Sequence, residues 1–328
     1  MFSKLTGIDL GTANTLIYVR GRGIVLDEPS VVSVDAETKK LLAVGQRAKQ
    51  MLGRTPGKIV TLRPLKDGVI ADFEGTEIML EYFVKKLRLR GLLRKPTILI
   101  CCPSNITPVE RNAISDAALR CGAKKVYIEE EPKVAAIGAG LDISKPSGCM
   151  IVDIGGGTTD IAVLSLGDIV TSTQLKIAGD RFDKDIINYV KDSYRLLIGE
   201  PTAEEIKIKV GTALKDVRSE QLDISGRDLV NGLPQTWTIT SEEVAQALSD
   251  SIHEIVCACR HVLESTPPQL SSDLMKTGIV LTGGGSLLAG LDQLLQQELK
   301  VPVRVAENAL SCVAKGTGIM LENLKAAG

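Results

Sequence analysis

Aromatic side chains are scarce in this sequence: four Phe, five Tyr and one Trp are scattered over 328 residues. Single-stranded nucleic acid is bound on successive aromatic platforms, and a carbohydrate face uses similar ones, so both classes are disfavoured. A surplus of charge is missing too. Lys and Arg number 39 against 40 Asp and Glu, a net charge of −1, so no global field gathers nucleic acid and no nucleic-acid partner is expected. No run reaches the ~18 uninterrupted apolar residues of a membrane span. Asp9 breaks the N-terminal segment before a signal-peptide core can form, so neither export by a cleaved signal nor a membrane-spanning chain is expected. The seven cysteines (101, 102, 121, 149, 257, 259 and 312) contain no C-x-x-C pair and lie mostly in apolar runs, which predicts reduced thiols in a cytoplasmic protein.

What the sequence does have is an internal repeat. Residues 9–19, Asp-Leu-Gly-Thr-Ala-Asn-Thr-Leu-Ile-Tyr-Val, lie over residues 153–163, Asp-Ile-Gly-Gly-Gly-Thr-Thr-Asp-Ile-Ala-Val, at a constant offset of 144. Each copy reads as an apolar strand, an Asp, a glycine turn and a second strand of alternating β-branched residues, which is a hairpin pattern. At roughly 100–200 residues per domain the length allows two domains. The repeat makes them similar and sets them facing one another.

Local signals fill in the rest as α/β layering. Short strands are predicted around Ile24-Val25 and Val31–Val34, and the Gly-, Pro- and Lys-punctuated stretch from Gly53 to Gly68 reads as a small insertion. A helix is predicted from Ile78 to Leu89, a buried strand over Thr97–Cys102, and a strand over Lys125–Ile128. Thr107, Pro108 and Glu110 supply the cap, first-turn proline and capping-box acid of a helix that Gly122 ends, and Pro132 opens another. In the second half, helices are predicted over Phe182–Leu197 and Thr202–Leu214, the latter through a Thr202/Glu205 capping box. Asp223–Ile239 reads as a strand-like second insertion. Thr240 and Glu243 cap a long helix reaching Glu264, which Pro267-Pro268 stops, and Ser286–Leu299 reads as a helix directly after a glycine turn.

Glycine turns at 11, 155–157 and 283–285 each follow an apolar strand. Glycine lets backbone N–H groups approach an anion closely, which makes phosphate the expected ligand. GxxxxGK[ST] is absent and no GxGxxG opens a helix after a strand, which excludes the common nucleotide-binding loops. The remaining arrangement is two hairpin loops clasping phosphates from opposite sides, with help from Thr12, Asn14 and Thr158. Asp9 and Asp153 would repel a polyphosphate unless a hard cation lay between, and Mg²⁺ suits one or two carboxylates plus phosphate oxygens and water. Glu129, Glu130 and Glu131 precede the helix that Pro132 opens, where the helix N-terminus favours an acid at any of the three, so the residues alone do not single one out.

The segments Gly7–Thr15, Glu130-Glu131-Pro132, Val152–Thr159, Thr202–Lys207 and Leu281–Gly285 resemble the actin-like ATPase superfamily of actin, heat-shock chaperones and sugar kinases, and within it the rod-shape-determining bacterial actins, the MreB/Mbl family. The resemblance spans essentially the whole chain. It implies two duplicated actin-like (ribonuclease H-like) domains facing a nucleotide cleft, each with a small insertion. Subdomain IA would comprise 1–32, 67–145 and 313–328; IB, 33–66; IIA, 146–181 and 241–312; and IIB, 182–240. It further implies that Thr12, Ala13 and Asn14 hold the phosphates together with Gly156, Gly157 and Thr158, with Gly11 and Gly155 also at the cofactor. Gly179 and Asp180 would lie at the nucleotide, and Glu204, Glu205, Ile206 and Lys207 would frame adenosine with Gly283, Gly284, Gly285, Ser286 and Leu287. Asp9 and Asp153 would hold Mg²⁺, with Asp153, Glu131 and Thr158 as the catalytic set. Three positions depart from the family pattern: Asp160 for Glu, Cys102 for Val and Ala178 for Gly.

Six cations and no acid occur from Lys85 to Lys95, around Leu92-Leu93. That is either a solvated helix end, its cations favoured by the dipole, or a lipid anchor, to which each cation contributes about 1 kcal/mol. The resemblance favours a membrane loop at Leu92 and Leu93, with Phe2 assisting. His253, Cys257, Cys259 and His261 have a zinc-like spacing, but Cys259 points away from the other three, no fourth ligand is evident, and the stripe of His253, Cys257 and His261 is expected to face the core. The leading expectation is a Mg²⁺-dependent ATPase that assembles with itself into filaments on the inner face of an anionic membrane and organises lateral cell-wall synthesis with the elongation proteins. A soluble small-molecule kinase on the same fold is the alternative, and no dedicated substrate base for it is identifiable.

Overall fold

Nearly continuous burial along consecutive apolar strands, from residues 5–10 and 14–19, builds the first sheet. The computed structural model describes residues 5–87, 95–104 and 106–326. In it β1 (Leu5–Leu10), β2 (Asn14–Val19) and β3 (Gly23–Pro29) run antiparallel. A three-stranded sheet follows, with β4 (Val32–Asp35) flanked by β5 (Leu41–Val44) and β6 (Ile59–Leu62), and with the short α1 (Gln46–Lys49) between β5 and β6. The tight hairpin of β7 (Leu65–Lys66) and β8 (Val69–Ile70) leads into α2 (Phe73–Lys86). Then β9 (Thr97–Cys102), α3 (Pro108–Arg120), β10 (Lys125–Glu130) and α4 (Glu131–Gly138) return the chain to the first sheet, where β9 and β10 are parallel to β1.

The second half repeats this plan. Antiparallel β11 (Cys149–Ile154), β12 (Thr159–Ser165) and β13 (Asp168–Leu175) precede α5 (Gly179–Tyr194), β14 (Leu196–Leu197), α6 (Glu200–Val210), β15 (Gln221–Asp228) and β16 (Pro234–Thr240). After them come α7 (Ser241–Ser265), α8 (Pro268–Thr277), β17 (Ile279–Thr282), α9 (Leu291–Leu299), β18 (Val303–Val305) and α10 (Cys312–Ala326). The large sheets have the orders β10-β9-β1-β2-β3 and β18-β17-β11-β12-β13, so β1 corresponds to β11, β2 to β12 and β9 to β17. Mixed strand directions and the duplicated order define the actin-like fold.

Several elements differ from their predicted bounds for identifiable reasons. Helix α2 begins at Phe73, because Thr76, Met79, Leu80 and Phe83 form one buried face that extends the helix toward its start. Helix α6 is opened by Gly199 and a first-turn Pro201, not by Thr202 with Glu205, and Glu205 pairs with Lys209 on the exposed face. Proline in the first turn is preorganised for helix and lacks an N–H that would go unpaired there. The same helix stops at Val210, where the Arg218 guanidinium collects the carbonyls of Ile208, Lys209 and Gly211. Helix α5 ends at Tyr194 as Arg195 turns left-handed, releasing Leu196-Leu197 to pair with β15. The stretch predicted as one helix over 286–299 divides into a single 3₁₀ turn, Gly284–Leu287, and α9, separated by Gly290 with φ 73°. The capping boxes of α3 and α7 form as predicted.

On α7 it is Cys259 that faces the core, whereas His253, Cys257 and His261 are exposed, reversing the expected orientation. Among the described residues no cluster of three His, Cys, Asp or Glu side chains could hold a metal by itself. Among them also, no helix is long and apolar enough to cross a membrane.

One core cluster belongs to each half, and a third joins them. This joint contains Leu99 and Cys101 from the first sheet, Ile151 and Val280 from the second, Val134 from α4 and Val313 from α10. Helices α4 and α10 cross with backbone nearly touching. A Cβ on Gly138 would lie 1.8 Å from the Cys312 carbonyl oxygen, and one on Gly316 would lie 2.0 Å from that of Val134.

Candidate functional site: a cleft between the duplicated halves

Strand geometry sets the centre of the site. Asp9 is the penultimate residue of β1, in register with Leu16 and Cys101, and Asp153 occupies the equivalent place on β11, in register with Asp160 and Thr282. The turns that follow meet across a cavity of about 530 Å³. A Cβ on Gly156 would lie 2.6 Å from that of Ala13, and one on Gly157 would lie 2.6 Å from the Thr12 hydroxyl, so only glycine lets the two loops approach this closely. The Gly155 N–H closes its own turn onto the Thr158 carbonyl at 2.9 Å. The first N–H groups of α5 reach the same loop, Gly179 donating to Gly155 O at 3.1 Å and Asp180 to Gly156 O at 2.7 Å.

The cavity brings together most of the residues singled out in the sequence. Asp9, Gly11, Thr12, Ala13, Asn14, Glu131, Asp153, Gly155, Gly156, Gly157, Thr158, Gly179 and Asp180 line it, as do Glu204, Lys207, Gly283, Gly284, Gly285 and Leu287. Three do not. Ile206 is buried in the core of the second half, Glu205 points outward, and Ser286 is buried with its hydroxyl donating to Gly283 O at 2.7 Å. Leu92 and Leu93 lie outside the described residues. Gly283 holds its turn at φ 79°, where a side chain would both strain the backbone and strike the Ile154 carbonyl.

Other lining residues had no sequence signal tying them to the cleft. The β7–β8 turn, Asp67 and Gly68 with φ 51° and 78°, enters between the two loops. There the Gly68 N–H donates to Thr12 Oγ1 at 3.2 Å. Asp-Gly marks a tight hairpin in sequence, but the place it reaches follows only from tertiary structure. Lys49 and Arg63 enter from the first half, and Phe182, Ile208, Arg218, Leu288 and Leu310 from the second. Lys207 is fixed by a 2.8 Å ion pair to Asp183 and a 2.9 Å hydrogen bond to Gly179 O.

Electrostatics single out the carboxylates. Burial, then the charge of Asp153, pushes Asp9 up to about 8. Burial likewise raises Asp153 to about 6, against the lowering effect of the Thr282 hydroxyl. Glu131, at the start of α4, is held well above its ordinary value by burial and by Asp160, Asp9 and Asp153. Asp160 itself is satisfied by the Ser104 N–H and hydroxyl and by the Gln174 amide, with its carboxyl raised by burial. Like charges crowded in low dielectric resist ionisation, and a divalent cation would relieve them. Asp153 Oδ1 is buried without a hydrogen-bond partner, so the residues present fit such an ion. Among the described residues no third side-chain ligand joins these two carboxylates, a set that would suit Mg²⁺ held partly through phosphate and water.

A duplicated α/β fold with glycine loops and buried acids converging between its halves defines an actin-like nucleotide-cleft protein. The family model described as MreB/Mbl protein matches residues 3–328. The cell shape-determining protein Mbl of Bacillus subtilis (strain 168) is 63% identical over 324 residues, covering 99% of this chain and 97% of its own. The cell shape-determining protein MreB of Escherichia coli (strain K12) is 51% identical over 327 residues, covering 98% and 94%. Among solved structures, MreB5 of Spiroplasma citri bound to AMPPNP superposes with a TM-score of 0.96 at 40% identity, over 100% of this chain and 98% of that one. The same protein bound to ADP gives 0.95, at 40% identity over 99% and 98%. The chain belongs to the MreB/Mbl family.

Proposed function

We propose that the protein binds ATP with Mg²⁺ between its halves, hydrolyses it, and polymerises with itself in a nucleotide-dependent way. The observation that carries this reading is the convergence of Asp9, Glu131 and Asp153 with the loops at 11–14 and 155–158 in one cavity. A relative with nearly the same backbone is bound to AMPPNP and to ADP, which supports ATP as the ligand. In this reading the backbone N–H groups of the two loops hold the phosphates. Glu204 and Lys207 take the sugar, and the base lies against the apolar wall of Ile208, Leu287, Leu288 and Leu310. Asp9 and Asp153 hold Mg²⁺, which offsets phosphate charge. Glu131 and Thr158 orient the attacking water, since phosphoryl transfer depends on an in-line nucleophile more than on a strong base.

The subdomain division, with 33–66 and 182–240 as small insertions at the cleft mouth, makes closure of the mouth the step that ligand and polymer share. A ligand shifts that equilibrium only by binding one state better than the other. The basic segment around Leu92 and Leu93 would anchor the polymer to the inner face of an anionic membrane, where it organises lateral cell-wall synthesis with elongation proteins.

Phosphate release and co-sedimentation with Mg·ATP and anionic vesicles test this together. The parent protein releases phosphate and pellets. Glu131→Gln binds nucleotide but releases phosphate ~10²-fold or more slowly, the range for losing a positioned acid–base group. Undiminished release in that variant, or release that requires a sugar or alcohol, contradicts the reading and favours a small-molecule kinase.

A further inference from the structure

Two ion pairs cross the mouth of the cleft, far from the joint core, and both reach α6. Lys49 Nζ lies 2.7 Å from Glu204 Oε2 and 2.9 Å from Oε1, and Arg63 lies 3.8 Å from Glu200. Among the described residues these are the ion pairs that join the first half to the second across the mouth. We propose that Lys49–Glu204 is a latch: it holds the mouth closed over bound nucleotide, keeps the Glu204 carboxylate in place, and must open before nucleotide leaves. This rests on the nucleotide reading above and assigns Lys49, which that reading does not use, as a positioning residue.

Both ends of the pair are held. On the first side Lys49 is the last residue of α1, whose N-terminal Gln46 N–H donates to Glu28 Oε2 at 2.9 Å. Glu28 is anchored in turn by Lys86 at 2.6 Å, and this ion pair and the Gln46 N–H keep its carboxyl below the usual value despite burial. Ala48 packs on Val31 and Ala43, so α1 moves with the small sheet. On the other side, Arg218 ties down the last carbonyls of α6, and Lys207, one turn beyond Glu204, is bound to Asp183 and Gly179 O. A pair whose backbones are fixed loses little entropy on forming. Its side chains are 30% and 32% exposed, so solvent screens it only in part.

A half-exposed pair contributes up to about 1 kcal/mol, which is about a 5-fold change in rate when the pair breaks on the way to release. The test is the dissociation rate of a fluorescent ADP chased with excess ATP. Lys49→Ala and Lys49→Glu are expected to release it ~2–5-fold and more than 5-fold faster, respectively. Lys49→Arg is expected to restore the parent rate, and raised salt to speed the parent but not Lys49→Ala. Rates for Lys49→Ala and Lys49→Glu equal to the parent's overturn the latch while leaving nucleotide binding intact. Acceleration that Lys49→Arg does not reverse also overturns it, because a merely structural lesion would behave so. A parent protein that binds no fluorescent ADP overturns the nucleotide reading and the latch with it.

Discussion

Asp9 and Asp153, with carboxyls raised to about 8 and about 6 from an ordinary 3.8, keep protons in the folded ligand-free chain that the unfolded chain has already lost. Their contribution to stability is therefore fully present below pH 3.8 and is lost as pH rises through 6 and then 8. Thermal melts without divalent cation should show the melting temperature falling between about pH 4 and 8. Asp9→Asn should remove most of the fall at the alkaline end. A melting temperature that is flat or rises over that range would contradict the burial of these acids. At this scale the acids and glycines were legible because their chemistry is local: an Asp closing a strand and a glycine turn after it point to a phosphate and a cation. Lys49, Arg63 and Gly68 were not legible, since a lysine in a four-residue helix or a tight Asp-Gly turn carries no mark of the cleft it reaches.

Among the elements, α4 connects fold to chemistry, because Glu131 is its first residue and Gly138 its last. The near contact of α4 with α10 has no room for a methyl group, so Gly316→Ala must push the helices apart. Overpacking of this kind costs about 1–3 kcal/mol. The expected result is a lower denaturation midpoint together with slower phosphate release, as Glu131 shifts. Stability lost with turnover unchanged would separate the joint from the site. Capping chemistry was readable where side chain and backbone agree, as at Thr107/Glu110 and Thr240/Glu243. It misled at Thr202/Glu205, where the first-turn proline at 201 won. The helix predicted over 286–299 divides because Gly290 breaks it, which no cap signalled. The stripe on α7 misled for a different reason. Helical spacing places His253, Cys257 and His261 on one face, but which face is buried depends on what packs against it, and that is Cys259's side.

For the molecule as a whole, the offset of 144 between the two Asp–glycine segments is matched by two sheets of corresponding strand order, and this duplication was the most legible feature of the chain. Two similar halves share the joint core with α4 and α10 and are bridged at the mouth by two ion pairs, and in the proposed reading a ligand between them controls closure. The proposed self-association, lipid anchoring and partner proteins leave no mark in the sequence as distinct as this repeat.

The most direct test of the account is an experimental structure of the protein with magnesium and a non-hydrolysable ATP analogue. The account predicts phosphates between the loops at 11–14 and 155–158 and a cation beside Asp9 and Asp153. A nucleotide bound elsewhere, or bound there with no cation near either carboxylate, would contradict it.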